Sequence, residues 1–143
     1  MSRPASTKTG SVERSLEIFG DRWSILILRE AFFGVRHYDE MQENLGIATN
    51  VLSSRLKRLV SNGILCRRKD REDGRRVEYR LTEKGLDLYP VTLALMQWGN
   101  RWLSDMPGRA LALRHGPCGR RLKPVTHCSA CGEKVLPQDV SFG

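Results

Sequence analysis

The apolar positions of this chain change period along its length, and each change marks an element. From Ser11 to Phe19 and from Asp21 to Phe33 they recur at helical spacing, which predicts two helices separated by Gly20, with Asp21 capping the second. The second, DRWSILILREAFF, is apolar on almost every side, so it is expected to be the buried centre of a domain, with Trp23 as part of that packing. Gly34 ends it, and Tyr38 to Leu45 (YDEMQENL) predicts a short helix before a turn at Gly46. In the next stretch, Ile47 to Asn62 (IATNVLSSRLKRLVSN), Leu52, Leu56, Leu59 and Val60 recur at i, i+4, i+7 and i+8, which makes one side of a helix of about four turns apolar. Thr49 is its expected N-cap, and Gly63 stands where a left-handed residue would end it. Helix, tight glycine turn and helix make a helix-turn-helix.

After Gly63 the period falls to two. ILCRRKD and RRVEYRL predict two strands joined by Arg71, Glu72, Asp73 and Gly74, a hairpin in which Cys66 is expected to be a core thiol. Thr82 and Glu83 then open a long helix to about Ser104, along which Leu88, Val91, Leu95, Trp98 and Trp102 step by three and four. Pro90 should kink this helix or mark the point where a short helix gives way to a long one. The stripe needs a partner, and since the compact domain already has a core, a subunit interface is expected; the alternative is a helix folding back on its own domain. From Met106 onward Pro and Gly become frequent and periodicity vanishes. The expected fold class is α+β and mostly helical: a disordered tail over 1–10, a winged helix-turn-helix with a long C-terminal dimerisation helix over 11–104, and a short cysteine-containing tail over 105–143.

Composition adds a partner. Among 143 residues Lys and Arg outnumber Asp and Glu 24 to 16, a formal charge of +8, which is the electrostatic footprint of a polyanion binder. The face of the 49–62 helix opposite its leucines collects Asn50, Ser54, Lys57, Arg58 and Ser61, with Ser53 and Arg55 on its flanks and no acid. Small hydroxyls, an amide and cations, with Thr49 at the helix start, suit the base edges and phosphates of a major groove, so this is the expected recognition helix. The bland alternative is a solvated basic face. Arg67, Arg68, Lys69, Arg71, Arg75 and Arg76 on the hairpin stand where a wing would lie along the phosphate backbone. The alternative there is an edge ribbon kept from pairing by its charges. The first residues, MSRPASTKTG, hold no apolar run, and none elsewhere approaches the length of a membrane span, so a cytoplasmic protein is expected.

In VERSLEIFGDRWSILILREAFFGVRHYDEM, LGIATNVLSSRLKRLVSNGIL, VEYRLTEKG and LMQWGNRWL, in that order and spacing, the chain resembles the HxlR family of winged-helix transcriptional regulators, relatives of the MarR group. The resemblance spans roughly residues 11–104. It implies a homodimer on a palindromic or near-palindromic double-stranded DNA operator, one recognition helix per half-site, with the first and last helices forming the dimer interface. A small-molecule effector is compatible with such a regulator, and no residue is assigned to one. Members that sense electrophiles or oxidants resemble one another in a cysteine just before the first helix. Here Gly10 and Ser11 stand at that place, so a thiol switch by that route is not implied.

The tail carries RHGPCGRRLKPVTHCSACGEKV. His115 and Cys118 are spaced HxxC and Cys128 and Cys131 CxxC, with nine residues between the pairs, which suits two turns facing one tetrahedral zinc ion. Gly119 and Gly132 each follow the last ligand of a pair, where a turn can aim amides at sulfur. His127 is a rival fourth ligand. The alternatives are reduced thiols or a redox pair between Cys128 and Cys131. No nucleophile, phosphate loop or carboxylate pair points to catalysis, so the chain is expected not to be an enzyme. The competing functions are a thiol- or redox-responsive or zinc-dependent protein using CSAC, and a zinc-ribbon adaptor.

Overall fold

The computed structural model describes residues 10–103, 105 and 111–141. The expected N-terminal tail at 1–9, Ser104 and Phe142 lie outside the described residues. Among the described residues, six α-helices and a two-stranded antiparallel sheet follow one another as α1 (Ser11–Phe19), α2 (Arg22–Phe32), α3 (Tyr38–Leu45), α4 (Thr49–Ser61), β1 (Leu65–Lys69), β2 (Val77–Leu81), α5 (Glu83–Leu86) and α6 (Tyr89–Trp102). This is the mostly helical winged architecture that the periodicities predict.

Local chemistry sets most boundaries. Asp21 caps α2, its Oδ2 accepting from the Ser24 amide at 3.0 Å. Gly46 takes φ 61° between α3 and α4, and Gly63 takes φ 73° after α4, both in the left-handed region. One expectation fails at the start of α4. The N-cap is Ala48, without a side-chain cap bond, because the Ala48 carbonyl already accepts the Leu52 amide at 3.0 Å. Thr49 is thereby the first helical residue, one place too late to cap. A second expectation is refined: there is no unbroken helix from Thr82. Thr82 caps the short α5 by accepting from Gly85 N, the chain turns at Asp87 and Leu88, and Pro90 is the second residue of α6, where an amide would lack a helical acceptor anyway. Gly85 is obligatory there, because a Cβ would lie 2.2 Å from the Ile64 carbonyl oxygen.

The strands pair from Leu65↔Leu81 to Lys69↔Val77. A further rung joins His37, just before α3, to Glu78, and the Tyr79 amide donates to Arg36 O at 2.7 Å. The core is built from Ile27 and Leu28 of α2, Met41 of α3, Ile47, Leu52, Leu56 and Leu59 around α4, and Ile64 and Leu65 at the hairpin start. The three leucines of α4 are no more than 1% exposed, so the apolar side inferred from their spacing is the buried one. Trp23 and Leu88 pack at the margin of this core. Glu30, buried in α2, is matched by Arg29 Nη2 at 3.2 Å and Asn44 Nδ2 at 3.0 Å, which lets a charge sit inside.

The chain divides into two compact units between Thr92 and Leu93, inside α6. The cause is visible on the helix: Leu93, Met96 and Asn100 line a cleft of about 280 Å³ together with Leu111, Leu113 and Leu122 of the tail. The tail itself forms two small hairpins, around the bridges Arg114↔Arg121 and His127↔Lys134, and a 3-10 turn at Pro137–Asp139. No described helix is long and apolar enough to cross a membrane.

Candidate nucleic-acid interface

The surface of α4 opposite the core is laid open. Thr49, Asn50, Ser53, Ser54, Lys57 and Arg58 are all exposed, whereas Arg55 is half-buried. The reason is an ion pair: Arg55 Nε donates to Asp21 Oδ2 at 2.8 Å, tying the middle of α4 to the cap of α2. Asp21 also accepts the Ser24 hydroxyl at 2.6 Å. Burial opposes ionisation of Asp21, yet the Ser24 hydroxyl and amide and the Arg55 guanidinium outweigh it and hold the carboxyl below its ordinary range. Arg55 therefore orients the helix, and the charges left outward on α4 are Lys57 and Arg58.

Tyr38 fixes the other end. Its hydroxyl donates to the Thr49 carbonyl at 2.8 Å and lies 3.1 Å from Ser53 Oγ, so α3 grips the first turns of α4 at the edge of the exposed face. Nothing in the spacing of Tyr38 signals this role; only the meeting of α3 and α4 shows what its hydroxyl does.

The wing is anchored rather than loose. His37 Nε2 lies 2.6 Å from Asp70 Oδ2 and His37 Nδ1 lies 3.3 Å from Glu40 Oε1, while Arg76 Nη2 donates to Asp39 Oδ1 at 2.8 Å. Asp70 Oδ1 accepts the Glu72 amide at 2.8 Å, shaping the tip. That amide foremost, and the His37 ring next, hold the Asp70 carboxyl below its usual range. Arg67, Arg68, Lys69, Arg71 and Arg75 are exposed, and among the described residues Arg71 and Arg75 make no ion pair. Arg76 differs from them because it joins the wing to α3. His37, Asp70 and Glu78 bring ligand-type atoms within 4.8 Å of one another. Glu78 Oε1 is engaged by Arg80 Nε at 2.6 Å, so the cluster serves as the latch of the wing.

A second exposed feature is apolar. Val91, Leu95, Trp98 and Trp102 of α6 are 41–61% exposed, as are Val12 and Leu16 of α1 at 69% and 57%. Leu88 turns inward to the core, so the open stripe begins at Val91.

In the tail, His115 Nδ1 lies 3.6 Å from Cys118 Sγ, and Cys128 accepts hydrogen bonds from the Cys131 and Ala130 amides and from the Cys131 thiol, which together hold its thiol below the ordinary value. The residues are thus brought together as pairs; among the described residues the four do not form one cluster. His127 Nδ1 lies 2.9 Å from Gly132 O, a contact within its own hairpin made by one of its two ring nitrogens. Cys66 is a half-buried free thiol on β1.

A helix-turn-helix with an acid-free exposed second helix and an anchored basic wing defines a winged-helix regulator. The HxlR-like helix-turn-helix family matches residues 18–107, and the chain belongs to that family. It is similar to the uncharacterized HTH-type transcriptional regulator Rv3095 of Mycobacterium tuberculosis, 47% identical over 131 residues that span 92% of this chain and 83% of that one. Its fold is similar to that of PA1607, described as a transcription factor, with a TM-score of 0.85 and 32% identity over 96% of both chains, the tail included. The oxidized form of the redox regulator HypR is also similar, with a TM-score of 0.59 and 28% identity, covering 64% of this chain and 96% of that one. The chain is a transcriptional regulator and not an enzyme.

Proposed function

We infer that two copies of the chain pair through α1 and α6 and bind an operator in double-stranded DNA, with α4 in the major groove of each half-site and residues 67–76 along the backbone. The observation that carries this reading is the face of α4. Asn50, Ser53, Ser54, Lys57 and Arg58 stand exposed on one acid-free surface, between a helix start gripped by Tyr38 and a wing held by His37 and Arg76. An amide and hydroxyls supply directional donors and acceptors for base edges, and the cations supply phosphate attraction. Val91, Leu95, Trp98 and Trp102 with Val12 and Leu16 support the pairing, since apolar side chains of this size left open on two helices favour burial against a like surface.

The test is operator selection from random DNA followed by Lys57→Ala and Ser54→Ala on the selected site. Each lost base contact is expected to cost about 1–3 kcal/mol on the operator and little on random DNA. Unchanged affinity of both variants for both DNAs would remove α4 as the reader.

A further inference from the structure

The tail contains a repeat that its irregular composition hides. LRHGPCGRRL (113–122) and THCSACGEKV (126–135) superpose at an offset of 13 residues, the offset that carries His115 onto Cys128, Cys118 onto Cys131 and Gly119 onto Gly132. The backbone repeats with it. His115 N donates to Arg120 O at 2.9 Å as Cys128 N donates to Glu133 O at 2.8 Å, and Gly119 N donates to His115 O at 2.7 Å as Gly132 N donates to Cys128 O at 2.8 Å. Leu122 N bonds Leu113 O as Val135 N bonds Thr126 O, the bridges Arg114↔Arg121 and His127↔Lys134 correspond, and Gly119 and Gly132 take φ 68° and 78°. Two hairpins of different sequence therefore share one turn, and the side chains that the turn presents in both are ligands for a soft metal.

Two further observations bear on what the turns are for. Sulfur at about 2.3 Å and imidazole nitrogen at about 2.0–2.1 Å from a tetrahedral zinc ion lie about 3.6 Å apart, and the Cys118 Sγ to His115 Nδ1 distance is 3.6 Å. Moreover, no residue of 111–141 is buried. A segment with no core of its own needs another source of order, and in small domains a disulfide or a metal supplies it.

We propose that the tail is a duplicated metal knuckle that closes on one zinc ion per chain, held by Nδ1 of His115 and the sulfurs of Cys118, Cys128 and Cys131. The turns present two half-sites, and the ion joins them. The link between Leu122 and Thr126 spans at most about 14 Å, which keeps the second pair within reach of an ion on the first. With four protein ligands no position is open for substrate, so the ion's role is structural. Binding couples to the ordering of the tail, because the metal supplies the cross-link that apolar burial does not.

The experiment uses the full chain purified without chelator. Elemental analysis should find one zinc per chain, with the thiols of Cys118, Cys128 and Cys131 slow towards a thiol reagent until a strong chelator is added. Cobalt(II) loaded in place of zinc should give the visible bands of a tetrahedral site and near-ultraviolet thiolate charge-transfer bands. Cys131→Ser should lose the ion and Cys66→Ser should keep it. His115→Cys should keep it and strengthen the charge-transfer bands. Three outcomes overturn the proposal: no stoichiometric metal with freely reactive tail thiols; a mass two hydrogens lighter, reporting a Cys128–Cys131 disulfide; or half an ion per chain, placing the site between two copies. Cobalt spectra of the unaltered protein keep the test valid even where a variant misfolds.

Discussion

Replacing Asp21 tests whether the recognition helix is held by the cap of its neighbour. Three groups converge on this carboxylate: the Ser24 amide at 3.0 Å, the Ser24 hydroxyl at 2.6 Å and Arg55 Nε at 2.8 Å. Alanine removes both carboxylate oxygens and with them all three hydrogen bonds. Loss of the cap costs about 0.5–2 kcal/mol, the hydroxyl of fully buried Ser24 loses its partner at about 1–3 kcal/mol, and the half-exposed pair with Arg55 adds at most about 1 kcal/mol. Since the three share one residue they do not add fully, and Asp21→Ala should destabilise by about 2–4 kcal/mol. Asparagine separates the charge from the geometry. Its oxygen can still accept from the Ser24 amide and Arg55, and its NH2 can donate to Ser24 Oγ, so Asp21→Asn should cost about 1 kcal/mol. Chemical denaturation at one fixed protein concentration measures both.

Acid provides an independent check with a defined sign. The folded carboxyl of Asp21 has a lowered pKa, so the unfolded chain takes up the proton first. The stabilisation from its charge is complete above the unfolded value near about pH 4 and fades as pH falls through the folded value. The gap between the native protein and Asp21→Asn should therefore be constant at neutral pH and close in acid. Equal stability of Asp21→Ala and the native protein at neutral pH, or a gap that widens in acid, would refute the argument.

Arg75→Ala should weaken binding to all DNA sequences alike and reduce the slope of log affinity against log salt by about 0.9, one phosphate contact, whereas Arg76→Ala should change the slope less and instead raise amide exchange across the wing, because Arg76 is engaged by Asp39. A shift in sequence preference for Arg75→Ala would mean that the wing meets bases. Trp98→Asp or Trp102→Asp, at positions 59% and 61% exposed in the single chain, should leave the fold intact while a carboxylate in an apolar interface drives the dimer to monomer. Operator affinity should fall with it, because the second reading helix is no longer held near its half-site; sedimentation showing intact dimers for both variants would place the interface elsewhere.

Sequence alone determined the elements whose cause is local. Leu52, Leu56 and Leu59 name the buried side of α4, Asp21 and Thr82 name two helix starts, and Gly46 and Gly63 name two turns, because periodicity, capping and left-handed backbone are settled within a few residues. The polar surface of α4 follows as the complement of its leucines. What tertiary structure decided is how residues far apart divide the work. Asp21 takes Arg55 out of the outward-facing set, His37 and Asp39 latch a wing more than thirty positions away, and the hydroxyl of Tyr38 closes on the start of α4. No spacing rule could show these pairs, since each joins side chains that meet only once the helices have packed. The same holds at Pro90 and Thr49: sequence marked the break and the helix start, but the hydrogen bonds of Ala48 and the turn at Asp87 and Leu88 chose the residue. In the tail the ligand spacing was legible, whereas the repeat became visible only when two unlike strings adopted one hydrogen-bonded turn, because backbone geometry tolerates exchanges of side chain that conceal it in the letters.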